Sequence, residues 1–341
     1  MADQNIPKTQ LVADFGDLLT AYLRDVREGL PIEQAYDGTR LLSQFEVDRE
    51  RAINGGGYVQ TQISASLPAL GAWYEGDDTI GQDKSSEDTM AQTELKMISE
   101  PIRVTREEIL KTGPGPRSLY TFMQNKFNQG MRRLRIAIES GLMAGSQNAK
   151  AITSFLLSCA VDPTTGTVDG INRATAGNEY WRNQSENIGS LTGGGYEKLE
   201  KLSLDCQKGG ESDWDYGFCD SQTFLALKKH HRQFLEVSIS STQSALGKRM
   251  VDLSIPVIEF EGKPIFWSPR VPNADGLSGL LYLVRKDAFD LAVHPDEEFK
   301  LLGPFPMENQ NKHGMKWHLM WAGQLCWKLP SACGVGHSIA E

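Results

Sequence analysis

Hydrophobic residues recur along this chain with two different periods, and each period marks a different element. Between Met315 and Leu329 the odd positions hold Met315, Trp317, Leu319, Trp321, Leu325, Trp327 and Leu329, with Gly323 among them. The even positions include Lys316, His318, Gln324 and Lys328. A period of two predicts a strand with one apolar face. Its length is about 50 Å of extended chain, roughly three times that of a typical strand. Such a strand suits a wall, a spine or an interface better than an active site. Farther back, Leu119, Met123, Phe127, Met131, Leu134, Ile138 and Leu142 follow at steps of 4, 4, 4, 3, 4 and 4. This spacing predicts a helix over 118–145, capped by Ser118, with an apolar stripe along one side. A shorter amphipathic pattern over 10–30 (Leu11, Phe15, Leu18, Tyr22, Val26) predicts a helix ended by Pro31, with a weaker one running to Phe45.

Residues 55–93 open on three glycines, alternate through Val59, Thr61, Ile63 and Ala65, turn at Leu67-Pro68 and finish in a polar, acidic run. They read as a strand, a tip and a return strand. An excursion this long is functional or disordered in most proteins. Leu67, Leu70, Trp73 and Tyr74 are too apolar for disorder. A projecting hairpin that finds its burial on another chain accounts for both features. Residues 94–105 read as a strand with a phase break at Glu100-Pro101, because Leu95 and Met97 lie on one parity and Ile102 and Val104 on the other. Proline cannot donate to a ladder, so a bulge or an edge is expected there.

Residues 150–220 are rich in loops, and Gly193–Gly195 opens a helix. A second helix over 221–235 is expected to be capped by Ser221 and lined by Phe224, Leu227 and Phe234. Residues 254–267 read as a hairpin turning at Glu261-Gly262, 280–284 as a buried strand, and 299–305 as an approach to the long strand. Strands and helices mix without a repeating βαβ rhythm, so the expected class is α+β. No internal repeat is visible.

Charge narrows the reading. The 341 residues carry 35 Lys and Arg against 44 Asp and Glu, a net charge of −9. That balance argues against a surface that grips nucleic acid throughout. Arg132, Arg133 and Arg135 form a local basic cluster in the long helix, either a salt-bridged solvent face or a contact with an anionic partner. The five cysteines have irregular spacing and no CxxC, which predicts reduced thiols. The first ten residues lack a basic segment followed by an apolar one, and no apolar run approaches the roughly twenty residues of a membrane span. A chain made in the cytoplasm is expected. His230 and His231 diverge by about 100° on a helix and cannot readily share a metal. The run Asp162–Thr167 reads as a turn, and neither glycine triplet is followed by the Lys-Ser/Thr of a phosphate loop. No catalytic, metal or cofactor site is assigned.

An acidic chain without a catalytic constellation, with one long apolar strand, one long helix and one projecting hairpin, resembles the major capsid proteins of tailed bacteriophages. Their Hong Kong phage-type fold is shared with herpesvirus shells. The order of elements is similar throughout residues 55–341, and VDGINRATAGNEYWRN (168–183), IPVIEFEGKPIFWSPRVP (255–272) and LLYLVRKDAFDLAVHP (280–295) resemble members of one capsid subfamily. The resemblance implies an N-terminal arm at 1–54 and an extended E-loop at 55–93. It implies a peripheral domain at 94–149 and 296–341, with 118–145 as spine helix, and an axial domain at 150–295. The implied role is self-assembly into pentamers and hexamers that close an icosahedral head around packaged double-stranded DNA.

The implied partners are other copies of the chain, a separate scaffolding protein, a portal and decoration proteins, with no membrane and no cofactor. The implied location is the virion, after synthesis in the bacterial host cytoplasm. A separate scaffold is expected because only residues 1–54 precede the E-loop. Ile63, Leu67, Leu70, Trp73 and Tyr74 would be covered by a neighbouring subunit. Phe127, Met131, Leu134, Ile138 and Leu142 would form the spine-helix core, faced by Trp317, Leu319, Trp321 and Trp327 of the long strand. Arg132, Arg133 and Arg135 would face the interior. Lys84 is the single lysine of the loop, and no partner for a covalent cross-link is readable. Two other readings stay open: an encapsulin-like shell around cargo, and a soluble α+β enzyme with a dispersed site.

Overall fold

The computed structural model describes residues 20, 21, 23, 24, 41–45, 47–50, 58–64, 75, 88–112, 116–210, 213–234, 257–272, 279–307 and 314–340. In chain order the elements begin with β1 (Val47–Asp48), β2 (Val59–Ser64), β3 (Asp88–Thr93), β4 (Lys96–Thr105), α1 (Arg106–Lys111) and α2 (Pro116–Leu142). Then come α3 (Phe155–Ser158), β5 (Thr167–Val168), β6 (Ile171–Asn172), β7 (Gln184–Asn187), α4 (Gly195–Gly210), β8 (Tyr216–Cys219) and α5 (Ser221–Phe234). The chain finishes with β9 (Val257–Phe260), β10 (Lys263–Trp267), β11 (Leu281–Val284), β12 (Phe289–Val293), β13 (Lys300–Pro306), β14 (Gly314–Trp327) and β15 (Gly334–His337). These make two compact units: Met1–Gln44, Lys96–Gly141 and Val293–Gly323 in the first, Phe45–Leu95, Leu142–Ala292 and Gln324–Glu341 in the second.

In the first unit β14 pairs antiparallel with β4 in one unbroken register, from Gly314 opposite Thr105 to Gly323 opposite Lys96. It also pairs with β13, whose register slips between Leu302 and Phe305. Pro304 stands in that slip and has no N–H to give. The expected phase break in β4 is absent. Its even positions point inward throughout, with Ile102 and Val104 fully covered and Met97 68% exposed. Among the described strands β4 pairs only with β14, so Pro101 is tolerated as an edge residue and no bulge is needed. The helix α2 starts at Pro116, not at a Ser118 cap. Proline is well suited to a first helical position because its missing N–H would be unsatisfied there anyway. On β4 the helix comes close at Gly130, where a Cβ would stand 2.9 Å from Ile102 Cγ1. The N-terminal residues 20, 21, 23 and 24 are helical, with Leu23 buried and Thr20 Oγ1 accepting from Trp317 Nε1 at 3.2 Å.

The second unit is built on a six-stranded sheet in the order β7-β15-β11-β8-β10-β9. Its alternation sorts side chains to two faces. Leu281, Leu283 and Ile265 meet Leu199, Leu202 and Cys206 of α4 and Phe224 and Leu227 of α5. Tyr282 and Phe218 turn the other way, stacked at 5.0 Å, and meet Phe155 of α3. The β9–β10 turn has positive φ at Glu261 (51°) and Gly262 (76°), the two-residue geometry that suits a twisted hairpin. The N-cap of α5 is Asp220, not the expected Ser221: Asp220 Oδ1 accepts from Thr223 N at 2.9 Å and Oδ2 from Gly279 N at 3.3 Å. β15 lies inside the six-stranded sheet, between β7 and β11.

The long strand also departs from its pattern. It alternates from Trp317 to Trp321 and is then buried on both faces through Trp327. Its tryptophans divide accordingly. Trp317 and Trp321 belong to the first unit, while Trp327 lies in the second, 5.3 Å from Phe155 and 5.2 Å from Phe289.

Candidate functional site: the hairpin and its base

β2 and β3 form an antiparallel hairpin from Val59 opposite Thr93 to Ser64 opposite Asp88. Val59, Thr61, Ile63 and Ala91 are buried, and Val59 clusters with Leu95, Ala292 and Cys326. Ile63, expected on a neighbouring subunit, is 8% exposed within its own chain. The exposed apolar side chains of the described hairpin are Tyr58 (54%) and Met90 (53%). Leu67, Leu70, Trp73, Tyr74 and Lys84 lie outside the described residues.

Two buried polar residues fasten the base of this hairpin. Gln324 is 2% exposed. Its Nε2 donates to Thr93 Oγ1 and to Glu94 O, both at 3.1 Å. Its Oε1 accepts from Thr153 N at 2.7 Å and Leu325 N at 3.1 Å. The alternating pattern had placed Gln324 on the polar face of the long strand, so nothing in the spacing marked it. Asp169 is the second fastener. Its carbonyl accepts from Gln92 N at 2.8 Å, and its Oδ2 accepts from Trp327 N at 2.7 Å. Asp169 and Gly170 carry φ of 47° and 82° between β5 and β6. Asp-Gly is a strong hairpin signal, so this turn is one that the sequence carries. Burial pushes the Asp169 carboxyl up to about 7 against the opposing pull of the Trp327 N–H.

The stretch 168–183 holds itself together around a buried guanidinium. Arg173, 1% exposed, donates from Nη1 to Ser158 O at 2.7 Å and Asn183 Oδ1 at 3.1 Å, and from Nη2 to Leu157 O at 3.1 Å. Trp181 Nε1 donates to Val168 O at 3.0 Å. Carbonyl oxygens, rather than a carboxylate, compensate this buried cation. In the first unit Phe127, Met131, Leu134 and Ile138 are buried, as are Trp317, Leu319 and Trp321, and in the second unit Leu142 and Trp327. Arg132 and Arg133 are exposed on α2, Arg133 Nη1 pairing with Glu100 Oε1 at 3.0 Å, and Arg135 is partly covered.

The chemistry available is sparse. Among the described residues no three His, Cys, Asp or Glu side chains gather as metal ligands. All five cysteines are buried and unpaired by disulfides, and burial pushes the Cys333 thiol up to about 12. His230 stacks on Tyr196 at 5.1 Å. Asp162 closes its turn by accepting from Thr164 N at 3.0 Å and Thr164 Oγ1 at 2.7 Å. No described helix is long and apolar enough to cross a membrane.

No family model and no curated protein matches this sequence. Solved structures do match its fold. A Cyanophage A-1(L) capsid asymmetric unit superposes with a TM-score of 0.62 at 12% identity, covering 91% of this chain and 93% of that one. The capsid of an empty GTA particle gives 0.58 at 12% identity, over 89% and 90% of the two chains. A chain of Microbacterium phage Oxtober96 gives 0.50 at 14% identity, over 89% and 91%. A likeness over about nine-tenths of each chain is one of fold, and the fold of this chain is of the tailed-phage capsid type.

Proposed function

We propose that this chain is a major capsid protein that assembles into pentamers and hexamers and closes an icosahedral head around double-stranded DNA. The observation that carries the reading is the match to a phage capsid subunit over 91% of this chain and 93% of that one. The solved structures it resembles are capsids, which supports a structural role over a catalytic one.

In this reading the first unit supplies most of the peripheral domain and the six-stranded sheet most of the axial domain. The β2–β3 hairpin is the stem of the E-loop, and its tip, with Leu67, Leu70, Trp73 and Tyr74, lies across a neighbouring subunit. Met90 and Tyr58, exposed on the stem, join that contact. Arg132, Arg133 and Arg135 face the interior, with the charge of Arg133 offset by Glu100. A separate scaffolding protein, a portal and decoration proteins act with it in the host cytoplasm, and the product is a virion component. Negative-stain microscopy of the chain expressed with and without its neighbouring genes tests this. Closed shells or regular capsomers are the expected result, with nuclease-protected double-stranded DNA in particles made with the full gene set. Small dispersed particles in both preparations would sink the reading, and shells that hold protein cargo but no DNA would redirect it to an encapsulating compartment.

A further inference from the structure

Asp169 combines a turn position, burial and a carboxyl oxygen without a hydrogen-bond partner. It sits at the first corner of a two-residue turn, 7% exposed, and fastens two segments distant in sequence. Its carbonyl holds Gln92 of the hairpin and its Oδ2 holds the backbone of Trp327. Its Oδ1 is buried and has no hydrogen-bond partner. We propose that Asp169 is a protonation-gated clamp: its neutral carboxyl keeps the base of the β2–β3 hairpin fastened to the end of β14, and ionisation loosens that hold.

The physical argument starts from the unpartnered oxygen. An ionised carboxylate in a dry site needs its lone pairs satisfied, and one backbone N–H is too little. Neutral, the same group needs far less. The charged residues on the surrounding elements are engaged elsewhere. Arg173 of the β5–β6 hairpin turns to Ser158 O, Leu157 O and Asn183, and Lys328, next to Trp327, pairs with Asp290 Oδ2 at 2.5 Å. On the hairpin side Glu94 offers its carbonyl to Gln324, and Cys326 is a buried thiol. Burial and the Trp327 N–H are what set the carboxyl, the first outweighing the second, and they bring it to about 7.

The sign follows directly. The folded value lies above the ordinary 3.8, so the stabilisation is complete below about 3.8 and is lost as pH rises through about 7. Water or a cation entering to meet the new charge must part the turn from β3 or from Trp327, and Gln92 N is the bond at the seam. The inference concerns a single chain and stands apart from whether shells form.

Asp169→Asn tests it, because Asn-Gly favours the same turn and stays neutral at every pH. Hydrogen exchange of β3 in the full chain, corrected for intrinsic base catalysis, is followed from one pH unit below about 7 to one unit above. In the wild type, exchange at Gln92 is expected to rise several-fold across this window, and in D169N to stay flat. Equal pH dependence in both proteins, or none in the wild type, overturns the clamp. A direct readout covers the case in which D169N folds poorly: carboxyl-labelled aspartate NMR of the wild type. One buried carboxyl titrating near neutrality supports the proposal, and every aspartate titrating in the ordinary acidic range overturns it.

Discussion

Trp321 sits 2% exposed in the middle of β14, where its indole is part of the first unit's core. Replacing it with alanine removes a large apolar surface from a packed site, so Trp321→Ala should destabilise the dissociated subunit by about 3–5 kcal/mol. The urea midpoint checks this, and an unmoved midpoint would show that the residue is not core. Gln324 makes a different case. Its side chain serves four backbone or hydroxyl partners, and alanine leaves the Thr153 N–H and the Glu94 carbonyl without it. Gln324→Ala should cost about 1–3 kcal/mol through the loss of these buried hydrogen bonds. It should also speed exchange at Thr93 and Thr153 more than elsewhere. A uniform loss of protection would mean that the glutamine contributes only general stability. The first effect was readable from alternation. The second was not, because a polar residue on the polar parity looks solvated until the strands and turns that cover it are known.

At the scale of elements, the proposed assembly gives the hairpin's stem and tip separate jobs. The stem is fixed by its ladder, by Val59, Ile63 and Ala91 in the core, and by Gln324 and Asp169 at its base. Removing Leu67–Asp83 spares all of these. The deleted chain should keep the melting transition of the wild-type subunit and fail to close shells, as judged by calorimetry and microscopy. Normal shells from that deletion would refute the interlocking role of the tip. The periods found the long helix and the long strand because each repeats its signal over many residues. They misjudged the ends and corners: Pro116 replaces Ser118 at one helix start, and Asp220 replaces Ser221 at another. Caps are single-residue signals, and several nearby polar residues compete for each.

At the scale of the whole molecule, the net charge of −9 governs how copies would meet in the proposed assembly. Like-charged subunits repel over a Debye length that shrinks from about 30 Å at 0.01 M salt to about 8 Å at physiological salt. Assembly followed by light scattering should therefore be slower at the lower salt and quicken as salt rises. Slowing with added salt would instead point to complementary charged patches at the contacts, which steer association and are weakened by screening.

The sequence by itself determined the longest elements and the clearest turn. The steps of three and four that run from Leu119 to Leu142 admit one helix, the alternation from Met315 to Trp321 admits one strand, and Glu261-Gly262 admits one tight turn, because local backbone geometry repeats at fixed intervals. Tertiary structure alone decided how those elements share their surfaces. It split β14 between two units, so that Trp317 bonds to Thr20 while Trp327 packs on Phe155. It placed the strand at 334–337 inside a sheet whose other members begin at Gln184. It also buried Gln324 and Asp169 at the foot of a hairpin more than seventy residues away in sequence. These outcomes depend on which distant segments meet, and burial is a property of the meeting, not of either segment's own pattern.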